Sequence, residues 1–374
     1  MKLSETIKLY PTAFQLELIQ TAMAEYISVV NSLVSDAVNG TSIKKLTTAG
    51  VSANLPAVIV NQCIRDANSI VRKQYRNCRH AILKNRKLAD HPERKVTAPK
   101  LPVLKKLCCY INNQNFKINE KCIEFPVMMD GKSKRISVRT KMSEKQKSVL
   151  STHKLGLMRI VVKGNSIAAQ IPYSVEEPDI LTEGNVMGVD LGILCPAVSC
   201  CSDGNVRFYG NGRKSKYMRR HYAYLRRKLQ KSKKMSAVKR INDKEQRIMK
   251  DIDHKISHDI IETAVAHNVS VIKLEQLSNI RSTTRPSRKN NHSLHTWPFY
   301  RLAEFIGYKA KLAGITVEYV NPAYTSQTCP VCGNTHHAKG RNYTCRCGFH
   351  IHRDILGARN ICSSTEYVGD RHTA

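Results

Sequence analysis

Acidic residues are scarce in this chain. Its 374 residues include 29 Asp and Glu against 61 Lys and Arg, a formal net charge of +32. Self-repulsion on that scale is relieved when a polyanion binds, and nucleic acid is the obvious one. Long hydrophobic runs are also missing: none approaches the ~18 residues of a membrane-spanning helix. No basic segment leading into an apolar core marks a secretory signal at Met1. A membrane partner is therefore not expected, and the chain is expected in the cytoplasm, associated with the nucleoid if its source is prokaryotic. No internal repeat or low-complexity segment of weight is present. A content of 41% hydrophobic and 24% charged residues excludes a disordered chain and is enough for two or three domains with real cores. The 13 cysteines are, in such a compartment, not a disulfide framework. Nine are scattered and read as small buried hydrophobes; four are clustered.

What is there changes character along the chain. Thr6 to Leu9 reads as a short strand, and Pro11-Thr12 opens a helix with an apolar stripe at Leu16, Ile19, Met23, Tyr26, Val30 and Leu33. A second helix begins near Leu55-Pro56, apolar at Val60, Ile64, Ala67, Val71, Tyr75 and Cys78 and basic on its other side. Lys84 to Lys106 is rich in Lys, Arg and Pro, a linker or a loop against a phosphate backbone. From Leu107 to Ser174 the period becomes that of strands and implies a β-barrel or sandwich. Glu176, Glu177 and Asp179 mark a boundary, with a new domain from about Asn185.

Arg213 to Lys250 is the most basic stretch and keeps a helical stripe, which predicts two antiparallel helices with a turn near Lys231 to Ser236. Lys and Arg outnumber acids too heavily there for ion pairs along the helix to account for them. Arg219, Arg226, Arg227, Lys233 and Lys234 are the candidate nucleic-acid contacts. Arg281 to His295 reads as a polar, mobile loop, followed by a helix from Pro298 and a strand over Ile315 to Val320.

Three carboxylates carry the chemistry: Asp190 in Gly188-Val189-Asp190-Leu191-Gly192, Glu275 in Val271-Ile272-Lys273-Leu274-Glu275, and Asp354 in His352-Arg353-Asp354. The first two end apolar runs that read as buried strands, and the third opens a helix. Each alone is equally an Asp or Glu capping a turn. Together, in this order and in so basic a chain, they have the layout of an RNase H-type nuclease. Acidic oxygens in one cleft repel unless hard cations neutralise them, which predicts two Mg²⁺ or Mn²⁺ ions at Asp190, Glu275 and Asp354. Such a site would yield 5′-phosphate and 3′-hydroxyl ends, with Asp190 bridging the ions.

Cys329-Pro330-Val331-Cys332-Gly333 and Cys345-Arg346-Cys347-Gly348 form the second constellation. Two pairs of thiolates, each followed by a turn-forming glycine, suit one structural, tetrahedral Zn²⁺. The second pair is C-x-C, so His337, His350 or His352 is an alternative ligand to one of the four cysteines.

With these residues and the runs Tyr324-Thr325-Ser326-Gln327-Thr328-Cys329 and His352-Arg353-Asp354-x-x-Gly357-Ala358-x-Asn360-Ile361 in view, the chain resembles the TnpB (OrfB) family of transposon-encoded RNA-guided endonucleases, related to compact type V CRISPR effectors. The match is firm from Asn185 to Cys362. The resemblance implies an α/β fold with a β-barrel and a helical bundle: a wedge-like barrel from 1–10 and 100–180, a helical recognition domain at 11–99, and a split RuvC (RNase H-like) domain at 185–324 and 349–364. A zinc-ribbon, target-nucleic-acid-binding insertion would occupy 325–348 and a tail 365–374. It further implies guided cleavage of double-stranded DNA beside a short transposon-adjacent motif. The partners would be a guide RNA from the transposon end and the target duplex, bound by a monomer or weak dimer. Alternatives are a nuclease-inactive RNA-guided DNA-binding repressor and a transposition-associated protein without independent cleavage. The chain departs from the family in its C-x-C pair, in Cys195-Pro196, and in Gln276, where many relatives carry an acid; all three acids are nonetheless present.

Overall fold

The computed structural model describes residues 1–88, 95–97, 99–164, 166–241, 243–277, 299–338 and 340–368. The loop expected at 281–295 and the end of the tail lie outside them. The chain divides into two compact units, Met1–Glu176 and Glu177–Ala374.

In the first unit, strand β1 (Lys2–Tyr10) leads into helix α1 (Ala13–Val38), whose start is fixed by a capping box: Thr12 accepts from the Gln15 amide, and the Gln15 side chain accepts from the Thr12 amide. Helix α2 (Ala57–Lys87) follows, then β2 (Cys108–Ile111), β3 (Lys117–Ile118), β4 (Cys122–Met129), β5 (Lys132–Thr140), α3 (Glu144–Thr152), β6 (Lys154–Leu155), β7 (Met158–Lys163) and β8 (Ser166–Ser174). The apolar stripes of α1 and α2, with Ile19, Met23, Tyr26, Ile59 and Cys63, are buried in one core with Ile111, Phe125 and Ile160 of the sheet.

The sheet runs β2-β7-β8-β1-β5-β4-β3, with β6 added beside β8. In place of the expected barrel the sheet is open: β2 and β3, its two ends, are not paired with each other among the described residues. Alternation of apolar and polar residues marks a covered face, but closure depends on edge register that alternation does not specify. Here α1 and α2 pack against β2, and α1 also against β4.

The second unit is built on β9 (Asn185–Asp190), β10 (Ala197–Cys201), β11 (Val206–Tyr209), β12 (Val269–Glu275) and β13 (Thr316–Val320), in the order β11-β10-β9-β12-β13. The β9-β10-β11 meander is antiparallel, whereas β9, β12 and β13 run parallel. Helices α4 (Gly212–Lys231), α5 (Met235–Ile241) and α6 (Lys244–Ala266) intervene before β12, and α7 (Phe299–Leu312) precedes β13. Where two basic helices were expected there are three. The expected turn is present: Lys233, in the left-handed region at φ 54°, ends α4, and the Lys234 amide donates to the Leu229 carbonyl as in a Schellman motif. The additional break separates α5, ending at Ile241, from α6, starting at Lys244.

Met187 and Val189 of β9 share a core with Ile260 of α6 and Ile306 of α7. Alternation turns Gly188 and Asp190 to the opposite face, which is covered by α8 (Arg353–Ser363). The hairpin β14 (Asn342–Thr344) and β15 (His350–His352) precedes that helix.

Candidate functional site

Asp190 and Glu275 end neighbouring parallel strands. Val189 is in register with Leu274, so the two acids leave adjacent strands, about 4.8 Å apart at the backbone, toward one face. Helix α8 brings Asp354 to that face, and its approach depends on small residues. A Cβ on Gly188 would lie 2.2 Å from the Ala358 carbonyl oxygen, and one on Gly357 would lie 2.9 Å from Asp190 Oδ2. Lys273 of β12 donates to the Cys362 and Ser364 carbonyls at 3.3 and 2.7 Å, capping the other end of α8 with a cation where the helix dipole favours one.

Burial, and then the Glu275 and Asp354 charges, push the Asp190 carboxyl well above the ordinary carboxylate range. Burial also raises Glu275, opposed by the Thr325 hydroxyl, which donates to its Oε1. Two covered carboxylates under mutual repulsion are the environment that a divalent cation neutralises. Asp354 is held differently: Arg341 Nη1 donates to both of its oxygens at 2.7 and 2.6 Å. His352 caps the helix by accepting from the Asp354 amide. Arg341 is the residue that sequence reasoning missed; its only signal was a cation between the cysteine pairs, lost among many others.

The two sequence runs meet here. Asn360 of α8 donates its side-chain amide to the Thr325 and Thr328 carbonyls at 2.7 and 2.8 Å, which sets the Thr325 hydroxyl against Glu275. Tyr343, wholly buried, donates to the Gln327 carbonyl and packs with Cys329, Cys345 and Leu356. One small cluster thus joins the cysteine segment to α8.

Sulfur atoms of Cys329, Cys332, Cys345 and Cys347 lie within 4.8 Å of one another. Cys329 and Cys347 are 3.7 Å apart and Cys332 and Cys345 3.4 Å. Among the described residues this is the one set of three or more His, Cys, Asp or Glu donors that converges so closely. All four cysteines supply it and no histidine is needed, despite the C-x-C spacing. Gly333 and Gly348 both take positive φ, 72° and 89°, and donate their amides back to Cys329 and Cys345. Against the raising effect of burial, the Cys332 and Val331 amides lower the Cys329 thiol to about 7, while Cys347 is raised to about 12. Four thiols converging at these distances fit a soft divalent cation, and a tetrahedral Cys₄ set fits zinc. The three carboxylates do not reach that spacing, with Arg341 holding Asp354.

The basic helices sort into two faces. Arg226 forms an ion pair with Glu245 of α6 at 2.6 Å. Arg219 faces Asp253 of α6, a buried acid that also pairs with Arg301 of α7; burial lowers the Arg219 pKa and raises that of Asp253. Both therefore face the packing of α4 on its neighbours. Arg227, Lys233 and Lys234 are exposed. No helix among the described residues is long and apolar enough to cross a membrane.

Fold and site together define a mixed α/β protein with the architecture of compact Cas12 effectors. A Cas12f1 in complex with guide RNA and target DNA superposes with a TM-score of 0.61 over 94% of this chain and 82% of that one, at 15% identity. CasPhi-2 (Cas12j) does so at 0.52 over 96% and 91%, at 10% identity. Residues 170–281 match the family model "Probable transposase" (OrfB), and 299–361 match "Cas12f1-like, TNB domain".

Among curated proteins, TnpB-like protein MJ0751 of Methanocaldococcus jannaschii is 34% identical over 42% of this chain and 59% of its own length. Cas12f1 of Syntrophomonas palmitatica is 27% identical over 53% and 41%. The putative RNA-guided DNA endonuclease InsQ of Escherichia coli is 28% identical over 54% and 54%. The chain spans about half the length of the curated relatives it matches. It is a relative of the TnpB (OrfB) family and of the Cas12f effectors.

Proposed function

We propose that the chain is an RNA-guided, divalent-metal-dependent DNA endonuclease with a RuvC-type, RNase H-like site, acting beside a short transposon-adjacent motif. The observation that carries this reading is the convergence of Asp190 and Glu275, from adjacent parallel strands, with Asp354 on the helix that crosses them. In this reading, Asp190, Glu275 and Asp354 hold two Mg²⁺ or Mn²⁺ ions, which when bound lower the pKa of an attacking water and neutralise the leaving 3′ oxygen. Asp190, on the central strand, feels the charge of both other acids and would be a ligand for the ions alongside them. Thr325 orients the Glu275 carboxylate, and Arg341 fixes that of Asp354. The Cys₄ knuckle, with no ligand position to spare, is structural: it holds Arg341 and the Thr325 segment in place.

Expressing the chain with its native flanking DNA and sequencing the RNA that copurifies tests guidance; one enriched species reaching into the flank is expected, and degraded bulk RNA alone would overturn it. Cleavage of a matching duplex in Mg²⁺ should give 5′-phosphate and 3′-hydroxyl ends. Asp190→Ala should abolish cutting while RNA and target binding persist.

The ion pair of Asp354 with Arg341 favours a second reading, an RNA-guided DNA-binding repressor whose third carboxylate is already occupied. Target binding without nicking in either Mg²⁺ or Mn²⁺ would establish that reading instead.

A further inference from the structure

The outward face of α4 carries a pattern that phosphate binding does not use. At about 100° per residue, Tyr217, His221 and Tyr224 fall within an arc of about 60°. The two tyrosines are 65% and 60% exposed. Tyr217 and His221 are stacked, with ring centroids 6.1 Å apart and planes at 21°. Arg220, Lys228 and Lys231 lie on the same side of the helix, within an arc of about 100° that includes the rings, exposed and without an ion pair to any described residue. Arg219 and Arg226, half a turn away, face the acids of α6.

Exposed rings along a helix, flanked by unneutralised cations, are complementary to a strand whose bases are unpaired. The rings offer stacking surfaces, and the cations meet the phosphates. A duplex would present only phosphates here, leaving the rings against water. Tyr217 to Tyr224 spans about 10 Å of helix axis, the length of about three stacked nucleotides.

The start of α4 fixes where this face begins. Gly212 sits against the Ile193 and Leu194 carbonyls, in the loop that follows Asp190; a Cβ there would lie 2.2 and 2.4 Å from their oxygens. We propose that the outward face of α4 binds single-stranded DNA by base stacking on Tyr217, His221 and Tyr224, leading the strand to be cut toward Asp190. The direction of travel rests on the nuclease reading; the binding does not.

The test is fluorescence anisotropy on the full chain, freed of copurifying nucleic acid by high salt, in EDTA, with oligo-dT, oligo-U and a mixed-sequence duplex of equal length. Tyr217→Ala/Tyr224→Ala should bind oligo-dT about ten- to a hundredfold more weakly and the duplex unchanged. Tyr217→Phe/Tyr224→Phe, which keeps the rings and guards against a folding artefact, should bind as wild type. Arg220→Gln/Lys228→Gln/Lys231→Gln should instead lower the slope of log affinity against log salt by about 2, at roughly 0.7 per phosphate. Unchanged oligo-dT binding by the alanine variant, or an equal loss on the duplex, overturns the proposal. A loss confined to oligo-U overturns the assignment to DNA. Binding of oligo-dT in EDTA needs no cleavage, so a wild type that binds as expected and fails to cleave would count against the nuclease reading alone.

Discussion

A methyl group at Gly188 would meet the Ala358 carbonyl oxygen at 2.2 Å and the Cys362 amide nitrogen at 2.3 Å, both backbone atoms that cannot swing aside. Gly188→Ala must therefore lift α8 from β9, and overpacking of this kind typically costs about 1–3 kcal/mol. The expected outcome is a lower urea midpoint together with lost cleavage. Gly357→Ala meets the Asp190 carboxylate at 2.9 Å instead, so it should impair cleavage more than stability. An equal effect of both substitutions on the midpoint would show that the carboxylate does not yield.

The acids themselves give a pH prediction. Asp190 and Glu275 are raised above their ordinary values, so the folded chain binds protons more tightly than the unfolded one. Their contribution favours folding below the ordinary carboxylate pKa and is lost as pH rises through the raised values. At neutral pH and without metal, Asp190→Asn should then stabilise the chain, by on the order of 1–3 kcal/mol. Melting in EDTA checks this, and a lower melting temperature for Asp190→Asn would contradict the electrostatic account.

At the scale of elements, the link between the cysteine knuckle and α8 makes zinc removal more than a local event. The Arg353 amide donates to the Arg341 carbonyl at 2.7 Å, and the Arg341 side chain grips Asp354. Losing the metal should unfold the β14-β15 hairpin, release Arg341, and weaken cleavage even with Mg²⁺ in excess. Cys329→Ser should lose close to one equivalent of zinc by elemental analysis and lower the melting temperature. Retained metal would require a different ligand set.

Much of this was legible in the sequence. Spacing pointed to the four cysteines, and apolar runs ending in acids pointed to Asp190 and Glu275. The open sheet was not legible, because alternation marks a covered face without saying whether edges meet. The turn at Lys233 falls where it was expected, between Lys231 and Ser236; the further break between α5 and α6 was hidden because the apolar stripe carries on from Val238 and Ile241 to Ile248 across it. The sorting of α4 into two faces needed the partners Glu245 and Asp253, which lie on another helix and are not near Arg226 and Arg219 in sequence. Arg341 needed the fold for the same reason.

For the whole molecule, the excess of 61 cations over 29 acids has a consequence independent of any site. Several of the acids are already committed: Glu245 and Asp253 to helix packing and Asp354 to Arg341, while Asp190 and Glu275 are buried against each other's repulsion. The acids that remain are far outnumbered by the lysines and arginines, so the free chain is held together against its own charge. Salt shortens the range of that repulsion to about 8 Å near physiological strength. The melting temperature of the nucleic-acid-free chain should therefore rise from low salt to a few hundred millimolar NaCl. A polyanion such as heparin should raise it further at low salt, because binding to the folded form stabilises it by mass action, and that increment should shrink as NaCl is added. A melting temperature that falls steadily with salt would mean that internal ion pairs outweigh the repulsion, and the excess charge would then need an explanation other than a bound polyanion.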